Sequence, residues 1–520
     1  MRLHDYLDYW AVEQPEAALV LQDEDRLTYR DVEIASNRLA NALLGAGVEP
    51  GDRIAVLSKN CPEYLIVYLA ASRAGATVVP LNHRLAPPEW EHILADARPR
   101  VVFAGSGFAE PLEAIREAQA DHRVHVSLGG ATAGCESYGD WQASASGRRP
   151  DRVTPEEAPI LQLYTSGTTG RPKGALITHR ALTANLLQIS LAVSPGPGDR
   201  HLGVAPLFHA AVVPTAFTAL ASGGGIRLLS DFDPERVLQV LREEGITRAV
   251  LVAAMIQACV SAGSRASAGR FPSLRLVYYG ASPIASETLK GGAELFGCGF
   301  VQSYGMSEAT QAVTFLNELD HGRALAGEPD LLLSAGRPAL GTEVRILDLQ
   351  GAPLPDGSVG EIAVRGPQLM SGYWRLPEES AAALREGWLH TGDVGSVDDR
   401  GYLFVQDRLK DMIVTGGENV YPRAVEEVLH QHPAVAEAAV IGVPDDRWGE
   451  TVKAVVVLKP GMTATDGDIV EFCVGKLGGF ERPRSVDIVA SLPRNASGKV
   501  LKRELREPYW AGRSRRVAGS

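Results

Sequence analysis

Between residues 54 and 104 the sequence alternates short apolar runs with segments of helical periodicity. The runs predict buried strands, and the segments between them predict helices. The strands are expected at Ile54–Leu57, Thr77–Leu81 and Val101–Ala104, and the helices at 62–74 and 87–97. Strands that alternate with helices pair in parallel, because each helix returns the chain to the same end of the sheet. We therefore expect a doubly wound, mostly parallel α/β sheet, and the pattern is repeated over about 200–315.

The pattern changes after about residue 335, where short strands are joined by Gly, Pro and Asp turns. Beyond Asp411 the order becomes mixed and compact enough for a separate small α+β domain. Its elements are expected as a helix at 423–430, strands at 435–442 and 451–458, a helix at 467–477 and a strand at 485–489. We place the domain boundary near 407–411, which gives domains of 1–407 and 412–520.

Charge and cysteine usage exclude several classes of protein. The net charge of -12 disfavours a nucleic-acid partner, so any phosphate site must be a local basic feature. The five cysteines are scattered, and none forms a CxxC pair, which disfavours a zinc site and fits a reducing compartment. The first residues lack the apolar core of a signal peptide, and no run of about 18 apolar residues predicts a membrane span. These features favour a cytoplasmic protein.

The segment Tyr164–Gly174, with the sequence YTSGTTGRPKG, follows a predicted strand at 160–164. Its glycines allow backbone N–H groups to approach an anion, and its hydroxyls add donors for phosphate oxygens. Lys173 supplies a mobile positive charge. A Walker A loop is the nearest alternative, but it requires Gly-Lys-Ser/Thr, whereas Lys173 follows Pro172 and precedes Gly174. The segment predicts a phosphate-binding loop whose contacting residues are Thr165, Ser166, Gly167, Thr168, Thr169, Gly170 and Lys173.

This loop resembles the signature loop of the adenylate-forming superfamily, which includes acyl-CoA synthetases, peptide-synthetase adenylation domains and beetle luciferases. The resemblance extends over nearly the whole chain, with the motifs in the family's order. It implies a large N-terminal domain of two doubly wound α/β subdomains plus a small β-barrel, followed by a mobile α+β C-terminal domain. It also implies ATP and Mg²⁺ as cofactors.

Further motifs resemble the family's nucleotide site. Tyr304 of YGMSE is implied to stack on adenine, Ser307 to bond the α-phosphate, and Glu308 to hold Mg²⁺. The serine replaces the family's threonine and keeps the hydroxyl. Asp393 of WLHTGD and Arg408 of DRLKD are implied to contact the ribose. The implied backbone lining of adenine and the acyl carbonyl is Gly280, Ala281 and Ser282, with Gly305 beside Tyr304.

Lys499 of PRNASGK resembles the adenylation lysine. A carboxylate that attacks the α-phosphate meets like charge, and a preorganised ammonium lowers that barrier. Taken without the resemblance, Lys499 would be interpreted as an exposed lysine after a flexible Ser-Gly. The resemblance implies a hinge at 408–411, centred on Lys410, about which the small domain rotates between acid activation and thioester formation.

Coenzyme A is the implied acyl acceptor, with Gly416 and Gly417 along a pantetheine tunnel. Trp448 resembles an aromatic that stacks on the CoA adenine in some aryl-CoA ligases, although a tryptophan in a turn is also commonly a packing residue. The remaining residues implied to bind CoA are Phe480, Arg482, Arg484 and Arg84.

The acid is expected to enter an apolar slot with His209 as its gate. The other expected lining residues are Ala210, Val213, Met255 and Met306. This composition favours an aromatic, fatty or bulky hydrophobic carboxylic acid. Peptide-synthetase adenylation domains usually carry Asp after the phenylalanine that matches Phe208, so the resemblance implies that His209 disfavours an amino acid. Loading of a carrier protein, luciferase-like oxidation and a descendant that runs one half-reaction remain alternatives. A homodimer is an arrangement that the sequence leaves open.

Overall fold

The structure is a computed structural model that describes the larger part of the chain. The described residues are 1–118, 124–130, 132–166, 172–210, 213–263, 271–281, 284, 286–348, 350–409, 411–494 and 500–511, without the side chains of 117, 118, 166 and 213–215. The chain divides into two compact units, residues 1–343 with 364–389 (unit 1) and residues 344–363 with 390–520 (unit 2). The expected boundary at 408–411 falls inside unit 2 and remains a prediction.

The described residues contain strands of two to eleven residues. In chain order they are β1 (Ala18–Gln22), β2 (Asp25–Thr28), β3 (Arg53–Leu57), β4 (Thr77–Pro80), β5 (Val101–Ala104), β6 (Val124–Ser127), β7 (Glu136–Ser137), β8 (Pro159–Ser166), β9 (Pro172–Thr178), β10 (Arg200–Gly203), β11 (Gly225–Leu228), β12 (Arg248–Val252), β13 (Leu276–Gly280), β14 (Gly299–Tyr304), β15 (Thr314–Leu316), β16 (Arg337–Pro338), β17 (Glu343–Leu347), β18 (Gly360–Arg365), β19 (Gly372–Tyr373), β20 (Leu384–Arg385), β21 (Trp388–Val397), β22 (Leu403–Arg408), β23 (Ile413–Thr415), β24 (Glu418–Val420), β25 (Val435–Asp445), β26 (Gly449–Leu458) and β27 (Ser485–Ile488).

The helices alternate with these strands through most of unit 1. They are α1 (Leu3–Glu13), α2 (Tyr29–Gly45), α3 (Pro62–Ala74), α4 (Pro87–Ala97), α5 (Ala109–Ala118), α6 (Tyr138–Ser144), α7 (His179–Val193), α8 (Val213–Ala221), α9 (Pro234–Glu243), α10 (Ala253–Gly263), α11 (Ser286–Phe296), α12 (Glu318–Ala326), α13 (Pro377–Ala383), α14 (Pro422–His430), α15 (Asp466–Phe472) and α16 (Lys502–Trp510). Two 3₁₀ turns span Ser307–Ala309 and Pro329–Leu333.

Unit 1 contains two large sheets, and both are mostly parallel as predicted. The first has the order β16-β15-β14-β13-β12-β10-β11-β1-β2, and every pair from β14 to β1 is parallel. The second has the order β19-β9-β8-β4-β3-β5-β6-β7, and every pair from β8 to β7 is parallel. The predicted α/β class, with a large N-terminal and a smaller C-terminal domain, is confirmed.

Local sequence signals account for several of these elements. Helices α3 and α4 have the predicted bounds, and each has proline in its first turn, where the missing N–H costs nothing. Helix α7 follows β9 directly because the Thr178 side chain accepts a hydrogen bond from the Ala181 N–H at its first turn. The stretch after Gly129 contains α6, whose Trp141 is buried.

Beyond residue 411, unit 2 contains a small sheet that packs with helices around its own apolar core. Its strands have the order β24-β23-β26-β25, with β27 parallel to β26. Helix α14 buries Val425 and Leu429, four residues apart on one face, among the strand residues Ile413, Val440 and Val456.

A further sheet, formed by strands between residues 343 and 408, has the order β17-β18-β21-β20, with β22 paired to β21. Closure of that sheet into a barrel remains a prediction.

None of the helices in the described part of the chain combines the length and the hydrophobicity that crossing a bilayer requires.

Candidate active site

Strands that carry the predicted nucleotide residues end at one edge of each large sheet. In the first sheet, β13 and β14 pair in parallel with Gly280 opposite Ser303, so the segments after Gly280 and Tyr304 leave together. In the second, β8 runs parallel to β4 and ends at Ser166. Ligands of open α/β sheets bind outside these carboxyl ends. The carboxyl ends of these strands are therefore the candidate site of unit 1.

Two glycines permit close backbone approach at this edge. A Cβ on Gly305 would lie 1.5 Å from the carbonyl oxygen of Gln311, and one on Gly280 would lie 2.7 Å from that of Ser303. The buried Tyr278 hydroxyl joins the same segments, at 2.7 Å from Ser303 Oγ and 2.9 Å from Gln311 Oε1. Both glycine positions are thus fixed by packing, since any larger residue would move the turn after β14.

The predicted phosphate loop joins an antiparallel hairpin of β8 and β9. Thr165 lies opposite Lys173 and Ser166 opposite Pro172, so the hairpin holds both ends of the loop. Several predicted residues lie outside the described part of the chain: Gly167, Thr168, Thr169, Gly170, Ser282, Lys410 and Lys499, together with the side chains of Ser166 and Val213. Their assigned roles remain predictions.

Glu308 lies in the 3₁₀ turn Ser307–Ala309, and two hydroxyl groups converge on its carboxylate. Thr165 Oγ1 donates to Glu308 Oε1 at 3.3 Å, and the Tyr373 hydroxyl donates to the same oxygen at 3.0 Å. The structure thereby brings together the start of the phosphate loop and the predicted Mg²⁺ residue. Ser307 and Tyr304 are half-buried in the adjoining segment.

Tyr373 was not predicted from the sequence. It lies on β19, which pairs antiparallel with β9 with Tyr373 opposite Ala175. Its ring lies 5.5 Å from Lys173 Nζ, within cation–π distance. Burial, followed by the charge of Glu308, raises the pKa of the Tyr373 phenol, so it stays a hydrogen-bond donor. No local motif identifies it, because the hydrogen bond to Glu308 spans 65 residues.

A buried asparagine fixes the turn that precedes His209. Asn60, only 2% exposed, accepts from the Leu207 N–H at 2.8 Å and donates to the carbonyls of Ala205 and Leu229 at 3.1 Å each. The His209 N–H closes the turn by donating to Pro206 O at 3.1 Å. Asn60 was also missed, because an asparagine after a strand reads as an ordinary turn residue.

The His209 side chain lies in an environment that favours the neutral imidazole. Burial and then the charge of Arg84 lower its pKa. Arg84, which was assigned to CoA from the sequence, is exposed, and its charge acts on His209. Ala210 and Met255 are buried and Met306 is half-buried, as an apolar wall requires. A shared acyl pocket remains a prediction.

In unit 2 the two predicted ribose residues are direct partners. Asp393 on β21 lies opposite Arg408 on β22, and Arg408 Nε lies 3.3 Å from Asp393 Oδ1. Gly392, with φ of 67°, turns the chain ahead of Asp393, whose N–H donates to Thr391 Oγ1 at 3.1 Å. The Asp393 side chain is 8% exposed and that of Arg408 is 40% exposed. The carboxylate is therefore held while the guanidinium stays accessible.

The predicted CoA residues of unit 2 include one close pair. The Gly416 N–H donates to the Trp448 carbonyl at 2.9 Å, and a Cβ on Gly416 would lie 2.7 Å from the Trp448 ring. The Arg447 guanidinium lies 4.5 Å from the ring centroid. Trp448 and Phe480 are 40% and 41% exposed, which leaves aromatic surface available to a ligand. Arg482 is half-buried, and Arg484 and Gly417 are exposed.

Comparison with known proteins supplies an independent line of evidence. Residues 7–374 match the family described as AMP-binding enzyme, and residues 424–499 match the AMP-binding enzyme C-terminal domain. A fatty acid–[acyl-carrier-protein] ligase of Streptomyces coeruleorubidus is 37% identical over 517 residues, which cover 98% of this chain and 96% of the relative. A feruloyl-CoA synthase of an Amycolatopsis species is 40% identical over 496 residues, which cover 95% and 96%. The crystal structure of ATP-bound MatB from Rhodopseudomonas palustris aligns with a TM-score of 0.87 and 30% identity, covering 98% of this chain and 99% of that one.

Proposed function

The chain belongs to the adenylate-forming superfamily of AMP-binding enzymes and is an acid–thiol ligase, and we propose that its thiol is coenzyme A. The proposed reaction converts a carboxylic acid and ATP into acyl-AMP and pyrophosphate. The acyl group then passes to the CoA thiol and AMP leaves. The acid we propose is aromatic, fatty or otherwise bulky and hydrophobic.

The observation that carries the proposal is the convergence of Thr165, Lys173 and Glu308 at the end of the β8–β9 hairpin. The lysine brings positive charge and the hydroxyl a donor, and both suit phosphate oxygens. The hard oxygens of Glu308 and Thr165 are the donor type that Mg²⁺ prefers, so this donor set fits the metal. Bound Mg²⁺ would supply charge neutralisation between phosphate groups.

The remaining nucleotide contacts are proposed for each unit separately. The buried Asp393 carboxylate accepts the ribose hydroxyls, and Arg408 holds that carboxylate in place. Gly280 and Gly305 admit the nucleotide close to the backbone at the sheet edge, with Tyr304 against the base. We assign the ammonium that offsets charge as the acid attacks the α-phosphate to Lys499, on the resemblance alone.

The second step requires a different set of residues. Rotation about Lys410 would withdraw Lys499 and bring Gly416 and Gly417 to the acyl-AMP. Trp448 and Phe480 present exposed aromatic surface for the CoA adenine. The cations proposed to bind the CoA phosphates are Arg482, Arg484 and Arg84. The exposed aromatic surface supports CoA as the acceptor, because a carrier-bound pantetheine lacks the adenine.

Features of His209 support the hydrophobic acid. The lowered pKa keeps the imidazole neutral at pH 7, so it presents no cation to a charged side group. Ala210 and Met255 are buried and supply the apolar surface that we propose for the acyl site. The related feruloyl-CoA synthase, by its name, acts on an aromatic acid.

A second candidate function is the loading of a carrier protein. It is favoured by one observation, the 37% identity with a ligase named for a fatty acid and an acyl-carrier protein. The first half-reaction would be unchanged. Only the acceptor of the acyl group would differ.

The decisive experiment is ATP–pyrophosphate exchange over a panel of aromatic, fatty and short dicarboxylic acids. The best acid is then incubated with ATP and either CoA or a phosphopantetheinylated carrier protein, and the products are identified by mass spectrometry. We expect exchange with hydrophobic acids and an acyl-CoA product. Exchange without acyl-CoA, but with acylated carrier, would establish the second candidate, and no exchange with any acid would contradict both.

A further inference from the structure

The Glu308 carboxylate is engaged asymmetrically. Thr165 Oγ1 and the Tyr373 hydroxyl both donate to Oε1, at 3.3 and 3.0 Å. Among the described residues, these are the hydrogen bonds that reach this carboxylate, and neither reaches Oε2. Two donors on one oxygen fix the rotation of the carboxylate and leave the other oxygen to a different ligand.

Resting on the proposed function, we propose that Tyr373 is a positioning residue that assigns the two oxygens of Glu308. Oε1 is held by protein hydroxyls, and Oε2 is presented to the divalent cation that accompanies ATP. Mg²⁺ requires near-ideal octahedral geometry, so a carboxylate fixed in one rotation binds it better than one that turns freely. Groups that orient a metal ligand typically contribute ten- to hundredfold in metal affinity.

The backbone of Tyr373 is itself fixed to the phosphate hairpin. On one side β19 pairs with β9, and the Trp374 N–H donates to the Gly174 carbonyl at 2.8 Å. On the other side the Tyr373 N–H donates to Ser380 Oγ at 2.8 Å. The hydroxyl is therefore delivered from a rigid strand, and a shift of the hairpin would move it with Lys173. The same residue couples the metal carboxylate to the phosphate lysine.

The test separates the hydroxyl from the ring. Tyr373→Phe removes the donor to Glu308 but keeps the ring beside Lys173 and the strand pairing. Tyr29→Phe is the control, because it also removes a single tyrosine hydroxyl, which is more deeply buried than that of Tyr373 and donates to Gly224 O at 2.7 Å in a different part of unit 1. Thermal midpoints of both variants report whether the loss of a buried hydroxyl alone disturbs folding.

The readout is binding of an ATP analogue with a methylene between the α- and β-phosphates, measured by calorimetry with EDTA and with saturating Mg²⁺. For the wild type we expect tighter binding with Mg²⁺. Tyr373→Phe should lose about ten- to hundredfold of that Mg²⁺ enhancement and keep its affinity in EDTA. Tyr29→Phe should match the wild type under both conditions.

The other results contradict either the positioning role of Tyr373 or the proposed function. Full Mg²⁺ enhancement in Tyr373→Phe would overturn the positioning role, and so would an equal loss with EDTA and with Mg²⁺, which would indicate a purely structural hydroxyl. Failure of the wild type to bind the analogue under either condition would instead contradict the proposed function.

Discussion

The guanidinium of Arg408 and the carboxylate of Asp393 face each other across the β21–β22 pair, with 3.3 Å between Nε and Oδ1. Both residues were predicted to contact the ribose, from motifs in separate parts of the sequence. Their pairing means that neither acts alone, because Arg408 orients the carboxylate that would accept the ribose hydroxyls.

The first prediction concerns this pair. Arg408→Gln removes the cation beside the Asp393 carboxylate, which is nearly buried. We therefore expect the dissociation constant of AMP, measured by calorimetry, to rise about tenfold or more. Arg400→Gln is the matched control, since Arg400 pairs with Asp398 at 3.1 Å in the same hairpin. Equal weakening by both variants would contradict a specific role for Arg408.

The second prediction concerns Gly305. Gly305→Ala places a methyl group 1.5 Å from the Gln311 carbonyl oxygen, which the turn cannot accommodate without moving Glu308. We expect ATP–pyrophosphate exchange to fall by about a hundredfold or more, as misplacement of a catalytic group by 1 Å does. Gly322→Ala is the control, because its Cβ would meet open space. Normal exchange in Gly305→Ala would show that the turn is not required in this form.

The third prediction concerns Asn60. Asn60→Ala leaves the Leu207 N–H and the carbonyls of Ala205 and Leu229 without their partner, at about 1–3 kcal/mol for each buried group. We expect a lower midpoint in urea and a raised KM for the acid at an unchanged KM for ATP. Asn41→Ala, which removes exposed hydrogen bonds to Ser146 and Arg148, should change neither. A parallel rise in both KM values would indicate general damage.

The fourth prediction concerns acid stability. Burial, and then Arg248, lower the pKa of His201 to about 4, while Asp199 opposes the shift. The folded protein favours neutral imidazole, so this stabilisation is complete above pH 6.5 and is lost as the pH falls from 6.5 to about 4. The loss amounts to about 3 kcal/mol at most. His201→Gln should show a smaller drop in thermal midpoint between pH 7.5 and 5 than the wild type, whereas the exposed His430→Gln should not. An unchanged drop would indicate that other groups govern acid sensitivity.

The fifth prediction concerns the two lysines assigned from the sequence. Lys499→Ala should strongly reduce acyl-AMP formation and spare thioester formation from supplied acyl-AMP, because its charge acts on the first step only. Changes at Lys410 should impair the second step more than the first. The two rates are measured separately, by pyrophosphate release and by acyl-CoA formation. Equal loss of both steps in Lys499→Ala, or the reverse order for Lys410, would remove these assignments.

Much of the fold follows from local pattern. The bounds of α3 and α4 agree with the prediction because their signals lie in neighbouring residues: proline in the first turn of both helices, and Gly75 directly after the last turn of α3. Helix α6 was not predicted because it is short and buries a single residue, Trp141, although the Ser137 side chain caps its first turn.

The sequence by itself determined the fold class, the order of the motifs and the chemical groups that the site requires, since those depend on residue types and near-neighbour spacing. The tertiary structure decided which groups meet. Tyr373 reaches Glu308 across 65 residues, and Asn60 reaches Leu207 across 147. Such contacts depend on sheet order and register, and a linear pattern does not encode which distant strands become neighbours.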